Sequence, residues 1–286
     1  MESIGKNVYI EDKYLGVTLG VVSQPRGLVL IDAPPSPEDS RMWRASLMGM
    51  GNGPERMLVN LDSHPDRTLG ARAMDCTVIA HEQTALAFRN RPNTFKAQGE
   101  ETGANWEAIP GLGSVRWAPP EISFVDQLSL HWGETPIRLE SHAGPTRGAI
   151  WAILPSERIV FVGDSVLKGQ PPFLAHADLA AWIQSLDLLL SPAYKGYTVI
   201  SGRGGVVASQ NIKAQAEMLK RIFDKFDKLG KKRAPIASAD KLVEQFIKDF
   251  KPPVARNKQC AQRLRYGVHQ YYIRNYHSSS RHMMDE

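Results

Sequence analysis

Cysteine is almost absent: Cys76 and Cys260 are the only two in 286 residues. They lie far apart and neither sits in a Cys-x-x-Cys pair, which argues against a disulfide framework or a thiolate zinc site. Long apolar runs are missing too. No stretch of about eighteen apolar residues occurs, so no membrane span is expected. The opening MESIGKNVYIEDK lacks the apolar core of a secretory signal. Reduced thiols and no signal make a cytoplasmic protein the simple expectation. What remains is ordinary: 42% apolar and 23% charged residues, enough for one large domain or two small ones.

The net charge of +5 is unevenly spread. Residues 1–202 hold 17 Lys and Arg against 22 Asp and Glu, or −5, and residues 203–286 hold 18 against 8, or +10. A basic tail suits nucleic acid, an acidic partner or an anionic membrane surface. Its charges are interleaved with apolar residues at helical intervals, which fits solvated helix faces better. Nucleic acid is therefore not expected as a partner.

Strands dominate the first part: NVYIED, LGVTLGVVS and GLVLIDAP are short, β-branched and bounded by turn residues. SPEDSRMWRASLMGMG reads as a helix, with Ser36 as cap, Pro37 at the first helical position and Gly49 and Gly51 at the end. ERMLVNL is a further strand, a helical piece spans Thr68 to Met74, and CTVIAH then EQTALAFRN read as strand and helix. Residues 90–120 are irregular, the mark of a lid or substrate loop. Trp106 and Trp117 either line a pocket there or pin the loop to the core. QLSLHW, PIRLESHA, AIWAILP and RIVFVGDS form a second β-rich part, followed by the helix DLAAWIQSLDLLLS and the strand YTVISG. From Gln210, apolar residues at Ile212, Leu219, Ile222 or Phe223, Phe226 and Leu229 mark a long amphipathic helix. Two more helices are expected near Asp240–Phe250 and Asn257–Tyr276, and the last ten residues read as frayed. The order β-rich, helical, β-rich, helical implies two packed sheets with helices outside.

NLDSHPDRTLG, residues 60–70, follows an apolar strand and precedes a helical turn, where layered α/β proteins place chemistry. Its Asp62, His64, Asp66 and Arg67 alternate as ligands on an extended loop would, yet such a string alone also fits caps and ion pairs. It resembles the His-x-His-x-Asp-His loop of the metallo-β-lactamase superfamily. Later landmarks come in that family's order: SHAGPTRGAIWAILPSERIVFVGDSV for its Gly-His-Thr loop, hairpin and Gly-Asp strand end, PPFLAHADLAAWIQSLDLLL for the next helix, and VISGRGG for its last Gly-His-Gly. The resemblance covers roughly residues 5–229. It implies a four-layer αββα sandwich over residues 1–230, with the site along one edge, and a basic helical C-terminal extension over 231–286. The extension's tyrosines, Tyr266, Tyr271, Tyr272 and Tyr276, pack on the main domain or on a second subunit of a homo-oligomer.

Carried over by resemblance, the family's two-metal site is largely replaced. Asp62 stands for the first loop histidine, His64 for the second, Asp66 for the loop aspartate and Arg67 for the third histidine. Pro145 stands for the histidine of Gly-His-Thr, Asp164 for the bridging aspartate and Arg203 for the final histidine. Proline has no donor for a metal, and arginine stays protonated. Arg67 and Arg203 are therefore expected to neutralise Asp66 and Asp164, two salt bridges replacing the second metal. At the first site Asp62, His64 and Asp164 either hold one metal with water or hold none, with the metal-free reading placed first. Zinc, manganese and iron are the candidates, and the oxygen ligands shift preference away from zinc.

Two functions follow from the resemblance. The first is a diverged member without dinuclear metal hydrolysis that binds a small anionic or ester-like ligand, or a partner, through Arg67, Arg203, His142 and His176. The second is a one-metal hydrolase of esters, lactones or thioesters, with His64 and Asp66 in catalysis and Arg203 as clamp for the oxyanion or substrate. Minor candidates are His81 near the site, Ser165 as a nucleophile with His64 as base, and the closely set glycines of GRGGVV as an anion cradle before a helix.

Overall fold

Buried β-branched runs bounded by turn residues become strands, and capped amphipathic runs become helices. The computed structural model describes residues 1–51, 53–96, 102–250 and 252–277. The first part is β1 (Glu2–Gly5), β2 (Val8–Glu11), β3 (Leu19–Gln24), β4 (Gly27–Ile31), α1 (Pro37–Ser46), β5 (Glu55–Val59), α2 (Pro65–Thr68), β6 (Thr77–His81), α3 (Glu82–Arg89) and β7 (Ile122–Phe124). The second is β8 (Gln127–Leu130), β9 (Ile137–Ser141), β10 (Ile150–Leu154), β11 (Ile159–Gly163), α4 (Leu179–Leu189), β12 (Thr198–Ser201), β13 (Gly205–Val207) and α5 (Ser209–Lys231). The C-terminal helices are α6 (Ile236–Asp240), α7 (Leu242–Phe250) and α8 (Asn257–Tyr272).

The seven strands β1 to β7 form one sheet in sequence order, and β13-β12-β11-β10-β9-β8 form a second. Parallel pairing from β4 to β7 and between β11 and β12 brings several strand C-termini to one edge. The inner faces meet in a core that joins Val22, Val29 and Val59 to Leu139, Ile150 and Phe161. Outside the first sheet lies α1, anchored by Trp43 and Leu47. Outside the second lie α4 and α5, and α6 to α8 extend that same cluster through Phe246, Leu264 and Tyr272. The result is the expected αββα sandwich with added C-terminal helices. Tyr271 and Tyr272 are buried within this chain's own core, where Phe226 stacks on Tyr271. No described helix is long and apolar enough to cross a membrane.

Ser36 caps α1 by accepting from the Asp39 amide at 3.1 Å. The helix expected over Thr68–Met74 is instead α2 and a 3-10 turn, Ala71–Met74, split around Gly70. A Cβ on Gly70 would fall 2.1 Å from Ser40 Oγ and 2.4 Å from the Pro34 carbonyl, so close packing under α1 decides the break. The frayed tail expected after Tyr276 falls almost wholly outside the described residues.

Candidate functional site

The turn after β5 and the ends of β4, β11 and β12 converge on one buried cluster. His64 is the cap of α2: its Nδ1 accepts from the Asp66 amide at 3.3 Å and faces Arg203 Nη2 at 3.1 Å. Two N–H donors at Nδ1 place the ring proton on Nε2. Burial, then the charge of Arg203, pushes the His64 pKa down to about 3, so the ring is neutral.

Arg67 and Arg203 are 0% and 1% exposed. Arg67 reaches Asp32 Oδ2 at 2.6 Å through Nη1, Asp62 Oδ1 at 3.0 Å through Nε, and Asp164 through Nη2. Arg203 donates from Nε to Asp164 Oδ1 at 2.9 Å, from Nη2 to Asp164 Oδ2 at 3.0 Å, and from Nη1 to Asp66. Asp66 also accepts the Trp106 amide at 2.6 Å and the Asn105 amide at 3.3 Å. Burial alone would raise the Asp66 and Asp164 pKa values, but the arginines hold both below the usual carboxylate range. Asp32 has fewer compensating contacts, and burial pushes its pKa up to about 7. Gly202 lets the layers meet, because a Cβ there would fall 2.8 Å from Arg67 Nη2.

The sequence-predicted residues divide into three groups. Asp62, His64, Asp66, Arg67, Asp164 and Arg203 come together in the network. A cavity of about 150 Å³ opens above it, and His64 and His176 are in its wall with Pro145, Phe173 and Arg263. Among the described residues, Asp66, Arg67 and Arg203 belong to the layer beneath rather than to that wall. His142 lies elsewhere: it stacks on Trp151 with ring centres 3.7 Å apart and borders a shallow depression with Glu140 and Ser141.

The structure also places the minor candidates, and it corrects two of them, Ser165 and the glycines of GRGGVV. The Ser165 hydroxyl accepts from the Trp151 indole at 3.1 Å, an arrangement that holds a core side chain and pairs it with no histidine. The amides of Gly204 and Gly205 both donate to Thr18 Oγ1 at 3.0 Å, so a hydroxyl fills the supposed anion cradle, and GRGGVV leads first into strand β13. His81 caps α3 and holds the Val125 carbonyl at 2.6 Å. Trp106 and Trp117 both pin the 102–117 segment, meeting Phe95 edge-on, and Trp106 also lines the cavity. The stretch 97–101 of the expected lid loop lies outside the described residues.

Sequence reasoning missed Asp32, Asn105, Phe173, Arg91 and Arg263. Asp32 had a local signal, an acid at the end of the buried strand GLVLI. It adopts a left-handed backbone with φ 59°, uncommon outside glycine, and its Oδ1 accepts the Leu61 amide at 2.9 Å. The other four carry no local signal, since distant segments bring them in.

No protein-family profile and no curated protein sequence matches the chain. Solved structures do. A metallo-β-lactamase from Pontibacter korlensis superposes with a TM-score of 0.60 at 19% identity, over 77% of this chain and 97% of that one. The DIM-1 metallo-β-lactamase gives 0.59 at 16% identity, over 77% and 96%. The stereoselective inverting sec-alkylsulfatase Pisa1 from Pseudomonas sp. gives 0.65 at 15% identity, over 96% of this chain and 49% of that one. This chain thus spans about half of that enzyme, and the likeness takes in most of the C-terminal helices. The two sheets and their outer helices are those of the metallo-β-lactamase fold.

Proposed function

We propose that this chain is a metallo-β-lactamase-fold protein in which an arginine–carboxylate network stands in place of the metal centre. It binds a small anionic or ester-like ligand in the cavity above and does not carry out dinuclear metal hydrolysis. One observation supports this above the rest: Arg67 and Arg203 are buried and paired with Asp62, Asp66 and Asp164. A divalent ion at Asp62, His64 and Asp164 would meet donors already engaged. Both Asp164 oxygens take arginine N–H groups, Asp62 Oδ1 takes the His64 amide at 2.8 Å, and His64 Nδ1 faces Arg203. Two guanidinium charges would repel the ion as well. Among the described residues, no group of three or more His, Cys, Asp or Glu is arranged to hold a metal.

Metal content tests the proposal. The chain is purified after growth with zinc, manganese and iron and assayed by mass spectrometry beside Asp164→Ala. The expected result is less than about 0.1 metal per chain in both, as for a site whose ligands are already paired. About one metal per chain, lost in the variant, would instead establish the one-metal hydrolase and call for an ester, lactone and thioester screen.

A further inference from the structure

The cavity above the network has cations in its wall and no carboxylate. Arg91 and Arg263 both line it, and neither has a carboxylate within ion-pair distance among the described residues. Arg263, on α8, is 2% exposed. Its Nε donates to the Gly103 carbonyl at 3.1 Å, Nη1 to Gln170 Oε1 at 3.0 Å and Pro171 O at 3.4 Å, and Nη2 to Asn105 Oδ1 at 3.2 Å. Four of the five guanidinium N–H groups thus meet neutral oxygens, leaving one on Nη2. Arg91 donates from Nη1 to the Ser63 carbonyl at 2.9 Å and lies over the Phe88 and Trp117 rings at 5.2 and 4.8 Å, which leaves Nε and Nη2 for other acceptors.

A buried cation with only neutral partners is electrostatically incomplete. Asp66 and Asp164 do not complete it, because both are ion-paired to Arg203 or Arg67, and Arg203 meets Arg263 through Asn105 Oδ1, which accepts from both at 3.2 Å. The Phe173 ring packs against both guanidinium groups, 4.5 Å from Arg203 Cζ and 3.9 Å from Arg263 Cζ. The other polar groups in the wall suit an anion as well. His64, whose Nδ1 is taken up by the Asp66 amide and Arg203, keeps its Nε2–H as a neutral donor in the same wall. The remaining surface is largely apolar, from Phe173, Leu174 and Trp106. A volume of about 150 Å³ is comparable to cavities that hold one benzene ring.

We propose that this cavity binds a small organic anion, a carboxylate, sulfonate, sulfate or phosphate on an apolar ring or short chain. Arg91 and Arg263 take the oxygens, and Phe173, Leu174 and Trp106 take the apolar body. This deepens the function proposed above and rests on it, since a metal ion below would itself attract an anion. The C-terminal extension then completes the site, because α8 supplies Arg263.

Isothermal titration calorimetry in EDTA tests it with p-toluenesulfonate, benzoate and phenyl phosphate, beside the neutral methyl p-tolyl sulfone and benzamide. At least one anion should bind at least about tenfold tighter than its neutral counterpart, the usual worth of a charge-assisted hydrogen bond. Arg91→Gln should lose a similar factor with its melting behaviour nearly unchanged, and Arg263→Lys should lose less than Arg263→Gln. Equal binding of neutral and charged probes, unchanged binding in Arg91→Gln, or no binding of any anion would overturn the inference. Metal content of the same sample separates the two failures. No metal and no anion binding sinks this inference alone. A metal-loaded sample whose anion binding disappears in EDTA sinks the metal-free reading.

Discussion

Two pairs of arginines lie within one region of this molecule under opposite conditions. Arg67 and Arg203 are enclosed by Asp32, Asp62, Asp66 and Asp164 at the strand ends. Arg91 and Arg263 lie one layer above, against backbone carbonyls, side-chain amides and aromatic faces. The charge is the same in all four. The acceptors differ, and they decide whether a guanidinium neutralises acids of its own chain or rests on neutral partners alone.

The largest expected effect comes from breaking the lower pair. Arg203→Met leaves Asp66 and Asp164 short of a buried cation and should cost about 3–5 kcal/mol in urea unfolding. Adding Asp66→Asn and Asp164→Asn should recover much of that loss, because the uncompensated charge goes with them. A triple variant no more stable than the single one would show that the network does more than balance charge.

Acid should act next. Burial and the charge of Arg203 push the His64 pKa down to about 3 in the folded chain, from an ordinary value of 6.5. Below pH 6.5 the unfolded chain takes up a proton that the folded ring refuses, so this group's share of stability falls as pH drops toward 3, while Asp32, raised to about 7, contributes with the opposite sign between pH 7 and 3.8. By pH 5 the loss from this one group should reach about 2 kcal/mol. His64→Gln should flatten the curve of stability against pH between 6.5 and 4. Asp66 and Asp164, with depressed folded values, add their own loss only at more acidic pH. An NMR titration with His64 ionising near 6.5 would break the comparison by placing water, not Arg203, at its ring.

The smallest effect on stability should come from the upper pair. Arg91→Gln removes one hydrogen bond to the Ser63 carbonyl and the stacking on Phe88 and Trp117, and should cost about 1 kcal/mol. A loss as large as that of Arg203→Met would place Arg91 with the structural pair.

Legibility in the sequence followed distance along the chain. The strands GLVLI, IWAIL and IVFVG and the Ser36 cap were readable because apolar run length and capping are local signals. Asp62, His64, Asp66, Arg67, Asp164 and Arg203 could be singled out together because a resemblance preserves order along the chain. Asp32 ended a strand already noted, and its role stayed hidden because its partner Arg67 lies 35 residues on. Ser165 and the glycines of GRGGVV misled for a related reason. A hydroxyl or a free amide looks available until Trp151 or Thr18 arrives from elsewhere to occupy it.

By itself, the sequence determined the layered α/β class, most of the elements, and the identity of the charged side chains that meet in the buried cluster. These depend on periodicity, turn chemistry and residue identity, all carried by neighbours in the chain. Only the tertiary structure decided which arginine meets which acid. It also decided that Phe173 packs on both Arg203 and Arg263, and that α8 brings Arg263 to a cavity that His64 also lines. Those outcomes depend on the desolvation of charges and on contacts up to 160 residues apart, as between Arg263 and Gly103. No local pattern encodes them, because the energy of a buried charge depends on everything packed around it.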